Sequence, residues 1–183
     1  GVTKTFDEEA DGIVLSEGVG VLVLKRLADA ERDGDRIYAV IKAMGSSSDG
    51  RGSSLTSPTN EGQMRAMRRA YSKAGISPAT VGLYEAHGTG TTVGDTVELN
   101  SYCAMLTESA AEANACVVGS VKTLIGHTKA TAGVVGMAKV ALAFSTTACC
   151  TSARATRRSG SRRPDSRRSS TRWPLTWPRS MSS

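Results

Sequence analysis

This 183-residue sequence is notable first for what it has little of. It holds four cysteines and no C-x-x-C spacing, so a disulfide scaffold is excluded and a reducing compartment fits best. With two separated histidines and no cysteine pair at ligand spacing, no metal site is expected. No apolar run reaches the ~18 residues that read as a membrane span. The chain opens on Gly1, with neither an initiator Met nor a leader of charged and then apolar residues. The expectation is an internal or trimmed fragment without a signal peptide, cytoplasmic and away from membranes. Hydrophobic residues at 39% and charged residues at 22% are ordinary for a globular protein, so collagen-like and wholly disordered classes are excluded. The length allows one domain or a piece of one.

The formal charge of +6 is unevenly spread. Residues 1–144 carry 14 basic and 16 acidic side chains, a net of −2. Residues 145–183 carry nine Arg, one Asp and 16 Ser/Thr, a net of +8, with no Lys, Val, Ile, Phe or Tyr. That composition cannot bury enough apolar surface to offset chain entropy, and a disordered Arg/Ser-rich tail is predicted. Nucleic-acid binding is one reading, with Trp173 and Trp177 available for stacking. A solvated linker and a reading-frame error are the others. Basic arms ordinarily mix Lys with Arg, so nine Arg without Lys favours GC-rich DNA read out of frame.

Residues 1–144 alternate between strand and helix patterns. Strands are predicted over 18–24 (G-V-G-V-L-V-L), 37–44, 81–86 and 116–121. Helices are predicted over 27–33, 63–74, 94–106 and 130–144, with Gly34 and Gly75 as stop signals. Ser77-Pro78 predicts a short capped turn, and 46–60 reads as a long Ser/Gly/Thr/Pro loop. Alternating strands and helices argue for an α/β fold.

Both histidines follow a predicted strand, in a Gly/Thr-rich turn before a helix. His87 lies in E-A-H-G-T-G-T-T-V-G-D (85–95) and His127 in S-V-K-T-L-I-G-H (120–127). Ligands of open α/β sheets bind beyond the carboxyl ends of strands, so the two imidazoles are candidates for one site. There they could act as acid/base groups or as donors to an oxyanion. The alternative is that each is a satisfied buried polar group. Gly88, Gly90 and Gly94 are spaced one residue too long for the dinucleotide fingerprint, and no ribose-binding acid follows, so a Rossmann site is excluded. These glycines would admit a ligand close to the backbone, beside the hydroxyls of Thr89 and Thr91, or would simply form a tight turn. Cys103 and Cys116 are read as small core residues, and no activated thiolate is recognisable.

E-A-H-G-T-G-T at 85–91, with G-D and V-E at 94–98, resembles the first-histidine motif of the β-ketoacyl synthase family. S-V-K-T-L-I-G-H-T-K-A-T-A-G at 120–133 resembles its lysine and second-histidine motif. F-D-E-E-A-D-G at 6–12, S-E-G-V-G at 16–20 and D-G-D-R-I-Y-A-V-I-K at 33–42 resemble the segments before them. Ser16 stands where G-E-G-x-G is usual. The H-G-T-G-T form is most similar to ketosynthase domains of type I polyketide synthases and multidomain fatty acid synthases.

The resemblance implies a thiolase-like layered α-β-α-β-α fold, incomplete here and mostly its C-terminal half, over 1–144. It implies decarboxylative Claisen condensation of an acyl thioester with a malonyl-type extender on acyl carrier protein. His87 and His127 would support decarboxylation and stabilise the enolate. Lys122 would tune the site, and Thr89 and Thr91 would bind the phosphopantetheine arm of the carrier, with no cofactor held directly. The implied partners are acyl carrier protein, an acyltransferase domain of the full-length protein and a second copy in a homodimer, with neither nucleic acid nor membrane. The family nucleophile sits in a T-A-C-S-S context that none of the four cysteines matches. The expectation is therefore that this polypeptide forms no acyl-enzyme by itself. A non-catalytic partner subunit or chain-length factor is disfavoured because both histidines are present, and a thiolase because its motifs are absent. The tail is consistent with a frameshift near Phe144. With GC-rich codons, F-S-T-T-A-C-C at 144–150 becomes Q-H-H-G-V-L two bases on, like the family's usual continuation.

Overall fold

The computed structural model describes residues 2–50 and 57–157. Helix α1 (Leu27–Asp33) stops where Gly34 takes φ 70°, and helix α2 (Asn60–Ala74) stops where Gly75 takes φ 65°. Both are left-handed positions that glycine fills without a Cβ clash. At the other end of α2, the Thr59 hydroxyl accepts the Gly62 N–H, which satisfies one free donor of the first turn. Ser77 caps a 3-10 turn over Pro78–Thr80.

Strand β1 (Leu83–Glu85), helix α3 (Thr92–Glu108) and strand β2 (Val117–Gly119) form a crossover unit. The strands are parallel, pairing Leu83 with Val117, Tyr84 with Val118 and Glu85 with Gly119. A single turn, α4 (Lys122–Ile125), and a 3-10 turn at Lys129–Thr131 lead into helix α5 (Ala132–Arg157). Helix α2 packs on α3, and α5 packs on β1. Asn60 ties the helix pair by donating to the Val97 carbonyl and the Ser101 hydroxyl, each at 3.0 Å. Met64, Tyr84, Ala86, Met105, Val121 and Ala132 are buried between these elements.

Two expected strands are not strands. Residues 18–24 and 37–44 form no ladder, and Val19, Val21 and Val23 are 93, 82 and 94% exposed. The run at 18–24, expected as a continuous apolar buried strand, is instead mostly exposed. Within it only Gly20 and Leu22 are half-buried, and a Cβ on Gly20 would stand 3.0 Å from Val134 of α5. A strand also needs a neighbour for its N–H and C=O groups, and none lies alongside among the described residues. Among the described residues outside β1 and β2, one isolated bridge pairs Leu15 with His127.

The Cys103 and Cys116 expectation also needs correcting. Cys103 is exposed on α3, whose inward face is taken by Glu98, Ser101 and Met105. Cys116 is half-buried just before β2. The predicted tail at 145–183 lies partly outside the described residues, but α5 continues unbroken past Phe144 to Arg157.

Candidate functional site

The end of β1 sets the first histidine. The Ala86 N–H donates to the Gly119 carbonyl at 2.7 Å, and the chain then turns off the sheet at His87. Two carboxylates from the start of α3 collect four successive backbone donors of that turn. Glu98 accepts the N–H of His87 at 2.7 Å and of Gly88 at 2.8 Å. Asp95 accepts the N–H of Thr89 at 3.1 Å and of Gly90 at 3.2 Å, and its second oxygen takes the Phe6 N–H at 2.7 Å. Both acids are buried, where donors without acceptors would cost about 1–3 kcal/mol each. Sequence reasoning placed Asp95 and Glu98 in a motif without a role. Their i, i+3 spacing on a helix start, directly after a glycine-rich turn, is the signal that could have found them.

The glycines serve the protein's own packing. Gly88 has φ 43°, and a Cβ there would come within 2.3 Å of the Thr5 side chain and 2.9 Å of Ser120. Gly90 has φ 74° and faces the Gly12 carbonyl. The close approach assigned to a ligand is thus made by residues 5, 12 and 120. Thr89 is buried and hydrogen-bonds Thr91 at 3.0 Å, so these two hydroxyls are paired with each other.

Lys122 is buried, and its ammonium donates to the His87 carbonyl at 2.5 Å. The Ser120 hydroxyl donates to the same oxygen at 3.2 Å. His127 is fixed from the other side by residues 14–16: its N–H donates to the Val14 carbonyl at 2.7 Å, and its carbonyl accepts the Ser16 N–H at 3.2 Å. Its Nδ1 accepts the Lys129 N–H at 2.9 Å, so the neutral ring carries its proton on Nε2 and can donate from there. Lys129 holds φ 56°, an uncommon conformation for a residue with a Cβ.

The structure thus brings together His87, His127 and Lys122. The imidazoles meet edge to face, with centroids 5.5 Å apart and planes at 87°. His87 is exposed and His127 half-buried, so the pair is reachable from solvent. Protein packed around the rings strips part of their hydration, and that first, with the Lys122 charge second, holds both imidazoles below their ordinary pKa. Lys122 itself is pushed down by burial, partly offset by Glu98, Glu85 and Asp95. The arrangement is a pair of neutral imidazoles beside a buried ammonium, suited to an oxygen that gains negative charge. Among the described residues no group of three His, Cys, Asp or Glu side chains could hold a metal ion. A separate cavity of about 500 Å³, lined by Tyr71, Pro78, Met105 and Glu108, includes neither histidine.

Comparison with known proteins accounts for this architecture. The family model "Beta-ketoacyl synthase, C-terminal domain" matches residues 38–155, and "Beta-ketoacyl synthase, N-terminal domain" matches residues 1–30. The chain is 49% identical over 142 residues to one polyunsaturated fatty acid synthase subunit of Thraustochytrium sp., covering 76% of this chain and 5% of that protein. It is 47% identical over 143 residues to one phenolphthiocerol/phthiocerol polyketide synthase subunit of Mycobacterium tuberculosis, covering 78% of this chain and 8% of that one. Among solved structures, the ketosynthase from module 6 of the bacillaene synthase of Bacillus subtilis 168 is similar at a TM-score of 0.75 and 45% identity, covering 78% of this chain and 26% of that one. The chain therefore spans a small part of each relative, and its fold is an incomplete α/β fold of the thiolase-like ketosynthase type. With one family model covering most of its length and the histidine and lysine motifs converging in space, the chain belongs to the β-ketoacyl synthase family.

Proposed function

We propose that this chain is part of a polyketide-type ketosynthase domain whose site decarboxylates a malonyl-type thioester and stabilises the enolate. The observation that carries the reading is the edge-to-face pair of His87 and His127 beside buried Lys122. In the reaction the bond between the extender's methylene carbon and its carboxylate breaks, and CO₂ leaves. The electron pair moves into an enolate whose oxygen takes N–H donation from the imidazoles. The enolate carbon then attacks an acyl thioester, forming a carbon–carbon bond and releasing the thiolate. Lowered imidazole pKa values keep both rings neutral and donating near pH 7. Losing one such donor typically costs ~10²–10³ in rate.

Thr89 and Thr91 are the proposed contacts for the phosphopantetheine arm, through hydroxyls that now bond each other. Acyl carrier protein delivers that arm, and an acyltransferase domain and a second ketosynthase copy complete the proposed assembly. Nucleic acid and membrane have no part in it, and no described helix is long and apolar enough to cross a bilayer. The reading assigns no nucleophile to this chain. Cys103 is exposed on α3, and burial pushes the Cys116 thiol up, away from thiolate. The 49% identity to a polyunsaturated fatty acid synthase protein favours a second reading, the same chemistry on a fatty acyl chain.

The test is CO₂ release from malonyl pantetheine, which needs no acyl-enzyme. Release that is lost in His87→Ala and in His127→Ala supports the site. Release equal to the buffer blank overturns it.

A further inference from the structure

Glu85 precedes His87 by two residues and lies outside the roles assigned so far. Its backbone pairs with Gly119 at the end of the parallel ladder. Its side chain is only 12% exposed and spans two other elements. One carboxylate oxygen accepts the Val121 N–H at 2.5 Å, immediately before Lys122. The other accepts the Lys139 ammonium of α5 at 2.7 Å. Helix α5 makes room for it: a Cβ on Gly136 would stand 3.1 Å from the Glu85 Cγ. The strand that leads to His87, the turn that carries Lys122 and the helix that follows His127 therefore meet on one carboxylate.

We propose that Glu85, paired with Lys139 and seated against Gly136, is a positioning residue that holds the Lys122 turn in register with His87. The proposal rests on the reading of the site given above. Glu85 touches no reacting atom in it. Its carboxylate fixes Val121, and the next residue sends its ammonium to the His87 carbonyl, so one end of that bond is held by the Glu85 side chain and the other lies two residues along Glu85's own backbone. Small displacements of a catalytic group can cost up to ~10² in rate.

Five variants of the full chain test this, with two readouts: malonyl pantetheine decarboxylation, and the imidazole NMR signals of its two histidines. Glu85→Ala is expected to lower kcat by about tenfold or more with KM little changed, and to shift both imidazole signals. Glu85→Gln keeps an acceptor for Val121 and is expected to recover part of that loss. Gly136→Ala adds a methyl that helices ordinarily favour, so it should not unfold the chain, yet it is expected to lower kcat by crowding Glu85. Lys139→Met alone is expected to lower kcat as well, and adding it to Glu85→Ala is expected to cost little more, because the two residues act as one unit. Imidazole signals unmoved in both Glu85→Ala and Gly136→Ala overturn the proposal, as does a fully additive double variant. If the unaltered chain releases no CO₂, the reading of the site fails, and the NMR signals still decide the role of Glu85.

Discussion

The ammonium of Lys122 donates to the main-chain carbonyl of His87 at 2.5 Å, so the buried lysine is anchored to the loop it polarises. A charge fixed in this way lowers the pKa of both neighbouring imidazoles without occupying either ring. Lys122→Met keeps the bulk and removes the charge. Both imidazole pKa values are expected to rise in a pH titration by NMR, because the lysine's share of the lowering is gone. Malonyl decarboxylation is expected to fall by about 10². Unchanged imidazole titrations would remove Lys122 from the site's electrostatics.

Glu98 bears directly on stability. Glu98→Ala leaves the N–H groups of His87 and Gly88 without their acceptor, and the Tyr102 hydroxyl loses its partner too. At about 1–3 kcal/mol for a buried donor, a loss of about 3 kcal/mol is expected. That corresponds to a Tm lower by roughly 6–12 °C for a chain of this size, read by calorimetry. Glu98→Gln retains one acceptor oxygen and is expected to fall between.

Helices α1 and α2 and the turn at Pro78–Thr80 were legible because their signals are local: Gly34, Gly75 and Ser77 act on their own turns, as the structure finds. The convergence of His87 and His127 was legible from motif and strand position together. The runs at 18–24 and 37–44 were not, because an apolar β-branched run marks strand propensity while a strand forms only where a distant neighbour pairs with it. The work of Asp95 and Glu98 was hidden for a related reason, since it exists only once the 87–90 turn folds back onto α3. Cys103 misled because residue type predicts burial only on average, and its helix face is set by Glu98, Ser101 and Met105. The charge change at Phe144 marked a shift in composition, but α5 and the family match run on to residues 157 and 155.

Acid should weaken the fold through the histidines. Each has a folded pKa below its ordinary 6.5, so the unfolded chain binds protons first as pH falls. Stability from this source is complete above pH 6.5 and declines as pH drops below it. A Tm that falls between pH 7 and 5, in a range where ordinary carboxylates stay ionised, is the expected result. The double variant His87→Gln, His127→Gln should flatten that slope. An equally steep slope in the double variant would assign it to other groups.

Ser16 carries a correctable cost. Its hydroxyl oxygen is buried with no hydrogen-bond partner, and a Cβ on Gly126, directly before His127, would stand 3.0 Å from its Cβ and Oγ. An unsatisfied buried hydroxyl opposes folding, whereas the Ser16 N–H to the His127 carbonyl is a bond that any residue but proline would keep. Ser16→Ala removes only the oxygen, so a gain of about 1 kcal/mol and a Tm higher by roughly 2–4 °C are expected. Ser16→Gly, which restores the residue usual in the resembling motif, also removes the Cβ but adds backbone entropy to the unfolded chain of about 0.5–1 kcal/mol. It is therefore expected to gain less than alanine. Calorimetry on the two variants orders them, and a loss of stability in Ser16→Ala would mean that the hydroxyl has a partner after all.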